Sequence, residues 1–316
     1  MTAAKLTMAS VRWRAARIAT LWLMLGVLLV VPAAAQAPQT PPPRKAPQAE
    51  RTIRVGVDLV LVNATVMEND GRLVTGLERE NFRIFEDGVE QEVLHLATEH
   101  VPISAGVILD ISGSMEGQID HARQVALRFF KNANPQDEFF LVHFNNRAQL
   151  VSTFTRSVDE LRDKLLYTRA SGRTALLDAV YLGLAHIKKA RNSRRVIIVI
   201  SDGGDNHSRY NEKDVEQLAK ETDVQFYGIG YFDYTGLGVM KRLVQMTGGR
   251  FFPMDLLSGV ADYIWNELRE QYILAYKPSH RARDGKWHKV KVQLRPPKGL
   301  PPLRVYARTG YLAPSQ

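Results

Sequence analysis

The chain has 316 residues, 45% hydrophobic and 24% charged, with a formal net charge of +9 at pH 7 and no cysteine. Without cysteine there is no disulfide, thiolate metal centre, cysteine nucleophile or lipidated cysteine, so the fold rests on an apolar core that a chain of this length can supply. The positive charge is not gathered into a Lys/Arg run interleaved with aromatics, which argues against nucleic acid and leaves an anionic surface or acidic partner open.

Residues 1–35 read as an export signal. Lys5, Arg12, Arg14 and Arg17 precede a 14-residue apolar run from Ile18 to Val31, and Ala33-Ala34-Ala35 supplies a small-residue cleavage site. The run is shorter than the roughly 20 residues that span a bilayer, so cleavage after Ala35 is expected, with a retained signal anchor as the alternative. Removing the four leader cations takes the formal charge from +9 to +5. One leader serves periplasmic, cell-surface and secreted destinations, and no membrane span is expected after cleavage. Residues 36–50 contain Pro38, Pro41, Pro42, Pro43 and Pro47 and read as a disordered or polyproline-like linker.

Residues 51–100 read as strands. Val55, Val57, Leu59 and Leu61 alternate, and Asp70-Gly71 and Asp87-Gly88 are two-residue hairpin signals. The second separates Arg83 to Glu86 from Val89 to Leu96, which predicts a small antiparallel meander.

Residues 101–271 alternate strands and helices. Strands are predicted over Ala105–Ile111, Glu138–Phe144, Ala148–Phe154, Arg195–Ser201, Val224–Tyr231 and Arg250–Met254. Helices are predicted over Ile119–Asn132, Val158–Leu166, Ala175–Ala190, Glu212–Thr222, Leu237–Met246 and Val260–Gln271. This alternation implies an α/β fold with a mostly parallel sheet covered on both faces. The short link at Asn145-Asn146-Arg147 implies one antiparallel edge strand. Residues 272–316 return to strands at Tyr272–Tyr276, Lys289–Leu294 and Leu303–Ala307, so the two β-rich flanks are expected to pack together as an antiparallel accessory domain.

Two predicted strands end in carboxylates. The first leads into Asp110-Ile111-Ser112-Gly113-Ser114, and the second into Ser201-Asp202-Gly203-Gly204-Asp205-Asn206. On its own, D-x-S-G-S reads equally as a polar turn or as part of a hard-cation site, since such cations take oxygen ligands. In an open parallel sheet, ligands gather outside the carboxyl ends of the strands. Asp110 and Asp202 belong there, and Thr174 arrives on the Ser171-Gly172-Arg173-Thr174 loop.

DISGS, the threonine of SGRTAL and ISDGGDN together resemble the metal-ion-dependent adhesion site of von Willebrand factor A-type (vWA) domains, over roughly Ile103 to Gln271. The resemblance implies a Rossmann-like vWA domain and a divalent cation, Mg²⁺ or alternatively Mn²⁺ or Ca²⁺, at Asp110, Ser112, Ser114, Thr174 and Asp202. It also implies a protein partner whose exposed Asp or Glu completes the coordination. The flanking phrases FRIFEDG and ARTGY are similar to bacterial exported proteins described as VWFA-related.

Other residues carry two readings each. Asp178 is either an acceptor behind Thr174 or a first-turn charge favourable to the helix dipole. Asp205 and Asn206 either orient the Asp202 loop or solvate it. His207 is expected to be an exposed loop residue rather than a ligand, and His186 to be packed or half-exposed. Tyr231 to Tyr234 either line the rim or pack beneath it. No phosphate loop or nucleophile elbow is present, so a non-enzymatic binding module is expected. A metal-assisted hydrolase is the alternative, and a scaffold stiffened by the ion is a third reading.

Overall fold

The computed structural model describes residues 59–98, 100–230, 238–253, 257–278 and 284–315. The leader, the linker and the Tyr231–Tyr234 segment lie outside these residues. Near-continuous apolar runs form the central sheet. β5 (Ile103–Asp110) is buried at all eight positions and β6 (Glu138–Phe144) at all seven, as strands covered on both faces require. They join β7 (Ala148–Thr155), β8 (Arg194–Ile200), β9 (Gln225–Gly230) and β10 (Phe251–Pro253) in the order β10-β9-β8-β5-β6-β7. All neighbours are parallel except β6 and β7, the expected antiparallel edge.

Amphipathic helices cover the two faces. One face packs under α1 (Ile119–Lys131), α2 (Val158–Leu166) and α6 (Leu257–Arg269), through residues such as Phe129, Leu161 and Trp265. The other packs under α3 (Leu176–Ile187), α4 (Glu212–Glu221) and α5 (Gly238–Thr247), through Val180, Val215 and Leu243.

The flanking strands form a sandwich of two antiparallel sheets. β1 (Val60–Glu68) lies between β11 (Tyr272–Tyr276) and β13 (Leu303–Ala307), with β4 (Val93–Ala97) beyond β11. β12 (Trp287–Leu294) lies between β2 (Phe82–Glu86) and β14 (Gly310–Leu312), with β3 (Val89–Gln91) at the far edge. Strands from before and after the α/β region therefore pair directly. Val62, Ile84, Leu274 and Val290 fill the space between the sheets.

The Asp87-Gly88 turn joins β2 to β3 with both residues at positive φ, 48° and 87°, the backbone a two-residue type I′ hairpin needs. The predicted strand from Val89 to Leu96 is interrupted at Glu92, where the chain leaves one sheet for the other. Asp70-Gly71 also turns, through Gly71 N–H donating to Glu68 O at 3.1 Å, but only an isolated Met67–Leu73 bridge follows it.

Candidate metal centre

Asp110 is the last residue of β5, and it is fully buried. Its Oδ1 accepts from Ser112 N–H at 2.8 Å and its Oδ2 from the Ser201 hydroxyl at 2.6 Å. Burial pushes the Asp110 carboxyl up to about 6; the Ser112 and Ser201 hydrogen bonds oppose that rise, and the charge of Asp202 adds to it. Among the described residues, no Lys, Arg or His pairs with this buried carboxylate.

The chain then enters a 3₁₀ turn, Gly113–Gly117. Ser112 is buried and Ser114 exposed, with their hydroxyl oxygens 3.0 Å apart. Backbone stitches bring in the third part of the site. Gly113 N–H donates to Gly172 O at 2.9 Å, and Ser171 N–H donates to Ile111 O at 2.8 Å. From the β6–β7 turn, Asn146 Oδ1 accepts from Arg173 N–H at 2.7 Å, and Asn145 O accepts from Ala175 N–H at 2.8 Å. Gly172 sits at φ +85°, and a Cβ there would fall 2.8 Å from Asn146 Oδ1, so only glycine fits this crossing.

Thr174 is buried at the end of this loop. Its N–H donates to Asn206 Oδ1 at 3.0 Å, and its carbonyl accepts from Asn206 N–H at 3.0 Å and His207 N–H at 3.1 Å. Asp202, half-buried, follows Ser201 at the end of β8, near enough to raise the Asp110 carboxyl by its charge. The fold thus gathers Asp110, Ser112 and Ser114 in one turn, couples Asp202 to them through its field, and fixes the backbone of Thr174 beside them.

Asn206 orients the loop, the first of its two readings. Asp178 stands in the first turn of α3, the second of its two readings, and its Oδ1 also accepts from Arg209 N–H at 2.8 Å and Tyr210 N–H at 3.1 Å, which staples the far end of the Asp202 loop to α3. Asp205 holds the same loop through the Ser208 hydroxyl at 2.6 Å. His207 is exposed, with Nδ1 3.5 Å from Arg173 Nη1. His186 is a packing residue, stacked on Phe154 with ring centroids 5.2 Å apart.

Ser201 escaped the sequence reading. Its signal is positional, a hydroxyl directly before the carboxylate at a strand end, and only the β5–β8 pairing shows that it reaches Asp110.

Two carboxylates and three hydroxyls make a low-charge, oxygen-only donor set, and no cluster of three or more His, Cys, Asp or Glu suited to a metal occurs among the described residues. Such a set fits a hard divalent cation. A buried carboxylate with a second negative charge beside it and no cationic neighbour is the electrostatic environment that a cation relieves.

A Rossmann-like sheet with oxygen donors gathered at the carboxyl ends of its strands defines an α/β domain with a candidate cation site. Residues 107–204 match the family model for the von Willebrand factor type A domain, a span that holds all five candidate ligands. Over that span the chain is similar to that family. An uncharacterized protein of Synechocystis sp. is 22% identical over 154 residues, covering 47% of this chain and 37% of that protein. The chain spans between 15% and 42% of the length of the curated relatives it matches.

Among solved structures, a von Willebrand factor type A protein from Catenulispora acidiphila matches at a TM-score of 0.48 and 10% identity, over 80% of this chain and 73% of that one. Proximal thread matrix protein 1 from the mussel byssus, solved with a zinc-occupied MIDAS motif, matches at 0.49 and 16% identity, over 58% of this chain and 50% of that one.

Proposed function

We propose that this protein is an exported, non-enzymatic binding module of adhesion or assembly. In this reading Asp110, Ser112, Ser114, Thr174 and Asp202 hold Mg²⁺, or Mn²⁺ or Ca²⁺ in its place, and an exposed Asp or Glu of a protein partner completes the site. When bound, the cation supplies residual positive charge that a partner carboxylate neutralises. The observation that carries the reading is Asp110, fully buried, held by two hydrogen-bond donors, and raised by Asp202 without a cationic partner. Ser112 and Ser201 fix the orientation of that carboxylate, and the Asn206 and Asn146 contacts fix the threonine loop against it.

A hydrolase needs an acid or base besides the ion-holding carboxylates. His207 points to Arg173 at the surface, and burial pushes His143 down to about 4, with its Nε2 unpartnered. These placements favour the binding reading over the hydrolase. Export rests on the leader sequence. Among the described residues, no helix is long and apolar enough to cross a membrane.

Isothermal titration of Mg²⁺ into the mature protein and into Asp110→Ala tests the reading. Binding by the first and loss in the second is expected, with both giving folded circular dichroism spectra. Equal binding by Asp110→Ala would place the ion elsewhere, and binding by neither, with an acidic peptide present, would leave a scaffold.

A further inference from the structure

The topology puts one loop of unusual character beside this site. β7 runs antiparallel to β6, so it descends from the rim where Asp110 sits, and α2 climbs back up. The connection from Leu166 to Arg173 therefore crosses the rim before α3 descends. Tyr167 is 87% exposed there and Leu166 is 48% exposed. Among the described residues Tyr167 is the most exposed large hydrophobic side chain, and Leu166 adjoins it in the chain.

The loop is also firmly tied. Leu166 O accepts from Arg123 Nη1 at 2.8 Å, and the Thr168 hydroxyl donates to Lys164 O at 3.1 Å. Further along, the Ser171, Gly172 and Arg173 backbones are stitched to the metal-site turn and to Asn146. Tyr167 is thus presented on a fixed backbone.

The charges are one-sided. Arg147, Arg169 and Arg173 are exposed on the described rim loops and form no ion pair. Arg209 is engaged by Asp178 at 3.0 Å. Against these, Glu116 is the one exposed carboxylate among the described residues of these loops, Asp202 and Asp205 being half-buried. Arginine and tyrosine are the residues in which interface energy concentrates, and arginine pairs carboxylates through two parallel donors.

We propose that Leu166 to Arg173, with Arg147, forms the recognition surface beside the ion site, and that it fits a protein segment bearing a run of carboxylates. One carboxylate engages the ion and its neighbours engage Arg173, Arg169 and Arg147, while an apolar side chain of the partner covers Tyr167. This rests on the ion-mediated capture proposed above and specifies its partner: a polyacidic stretch rather than a lone acidic residue.

The test uses the mature protein in Mg²⁺ and two fluorescent nonapeptides of otherwise equal composition, one with four consecutive aspartates and one with a single aspartate among asparagines. Fluorescence anisotropy at low and moderate salt should show tighter binding of the four-aspartate peptide. Each exposed pair is worth up to about fivefold. Arg169→Ala/Arg173→Ala should erase most of that preference and flatten its salt dependence, with single-aspartate binding retained. Arg304→Ala, which removes an exposed charge on β13 away from the rim, should change nothing. Arg173→Glu should reverse the preference.

Equal binding of the two peptides by wild type, binding of neither, or a preference untouched in the double variant would overturn the rim. A preference that depends on the arginines but survives chelation of Mg²⁺ would uphold the rim and overturn the ion reading, so the two failures are distinguishable.

Discussion

At the scale of single residues, the site turns on how a buried carboxylate is held. Asp110 lies at the end of a strand with no exposed surface, and its two oxygens are aimed by two donors on different elements, Ser112 N–H and the Ser201 hydroxyl. The Ser201 hydroxyl also accepts from Gly203 N–H at 3.1 Å, so one side chain ties the Asp110 carboxylate to the loop that carries Asp202. Groups that orient a ligand from behind typically change metal affinity 10- to 100-fold when removed. Ser201→Ala is therefore expected to weaken Mg²⁺ binding by about tenfold, read by the same titration that tests Asp110→Ala, while leaving the protein folded. An affinity within twofold of wild type would show that Ser112 alone suffices to orient the carboxylate.

At the scale of elements, the strands place the site by close packing. Gly106 in β5 lies under the Phe140 ring of β6, and a Cβ at that position would meet ring carbons at 2.1 to 2.8 Å. Both residues are buried, so the ring has nowhere to retreat. Overpacking of this kind costs about 1 to 3 kcal/mol, and Gly106→Ala should lower the unfolding free energy by that amount, read as a lower urea midpoint at an unchanged slope. A stability equal to wild type would mean that the β5–β6 spacing is looser than the contact implies.

The same tight, local logic explains what the sequence made legible. β6 and α2 match their expected bounds because a short run rich in apolar residues and a serine cap accepting from Glu160 N–H are local signals. The predicted start of α6 at Val260 came three residues late, since Gly259 reads as a breaker yet stands within the first turns of the helix. The crossing at Glu92 was not legible, because the residues before and after it belong to different sheets while the sequence shows one strand. Ser201, and the grip of Asp178 on the Arg209 backbone, were missed for a related reason: their partners lie 91 and 31 residues away. In the candidate site, residue types and order were legible. The asparagine and glycine stitches that fix the threonine loop were not.

At the scale of the molecule, a buried polar knot joins the sandwich to the α/β sheet. Glu267 of α6 is fully buried and accepts from the Tyr227 hydroxyl of β9 at 3.0 Å and from the Thr65 hydroxyl of β1 at 3.3 Å. Arg250, just before β10, reaches Glu267 at 3.5 Å and the Tyr263 hydroxyl at 2.8 Å, and its guanidinium stands 5.2 Å from the Tyr306 ring of β13. Gln271 donates to Thr65 at 2.8 Å and accepts from Arg194. Burial pushes the Glu267 carboxyl up and the Arg250 charge pulls it down, with burial prevailing.

A charge so enclosed adds little net stability while its partners stay in place, but stranding those partners is costly, about 3 to 5 kcal/mol. Glu267→Ala leaves Arg250, Tyr227 and Thr65 without their common acceptor and should lose stability on that scale in chemical denaturation. Glu267→Gln keeps an acceptor for the two hydroxyls and should lose distinctly less. Mg²⁺ affinity at a temperature where both variants remain folded should match wild type, because among the described residues none of these groups bonds to Asp110 or to the Ser112–Ser114, Thr174 and Asp202 loops. A Glu267→Ala variant as stable as wild type would mean that apolar packing alone holds the two layers together. A variant that stayed folded but lost its ion would mean that the sandwich sets the geometry of the rim through α6 and β9, a coupling across the length of the sheet.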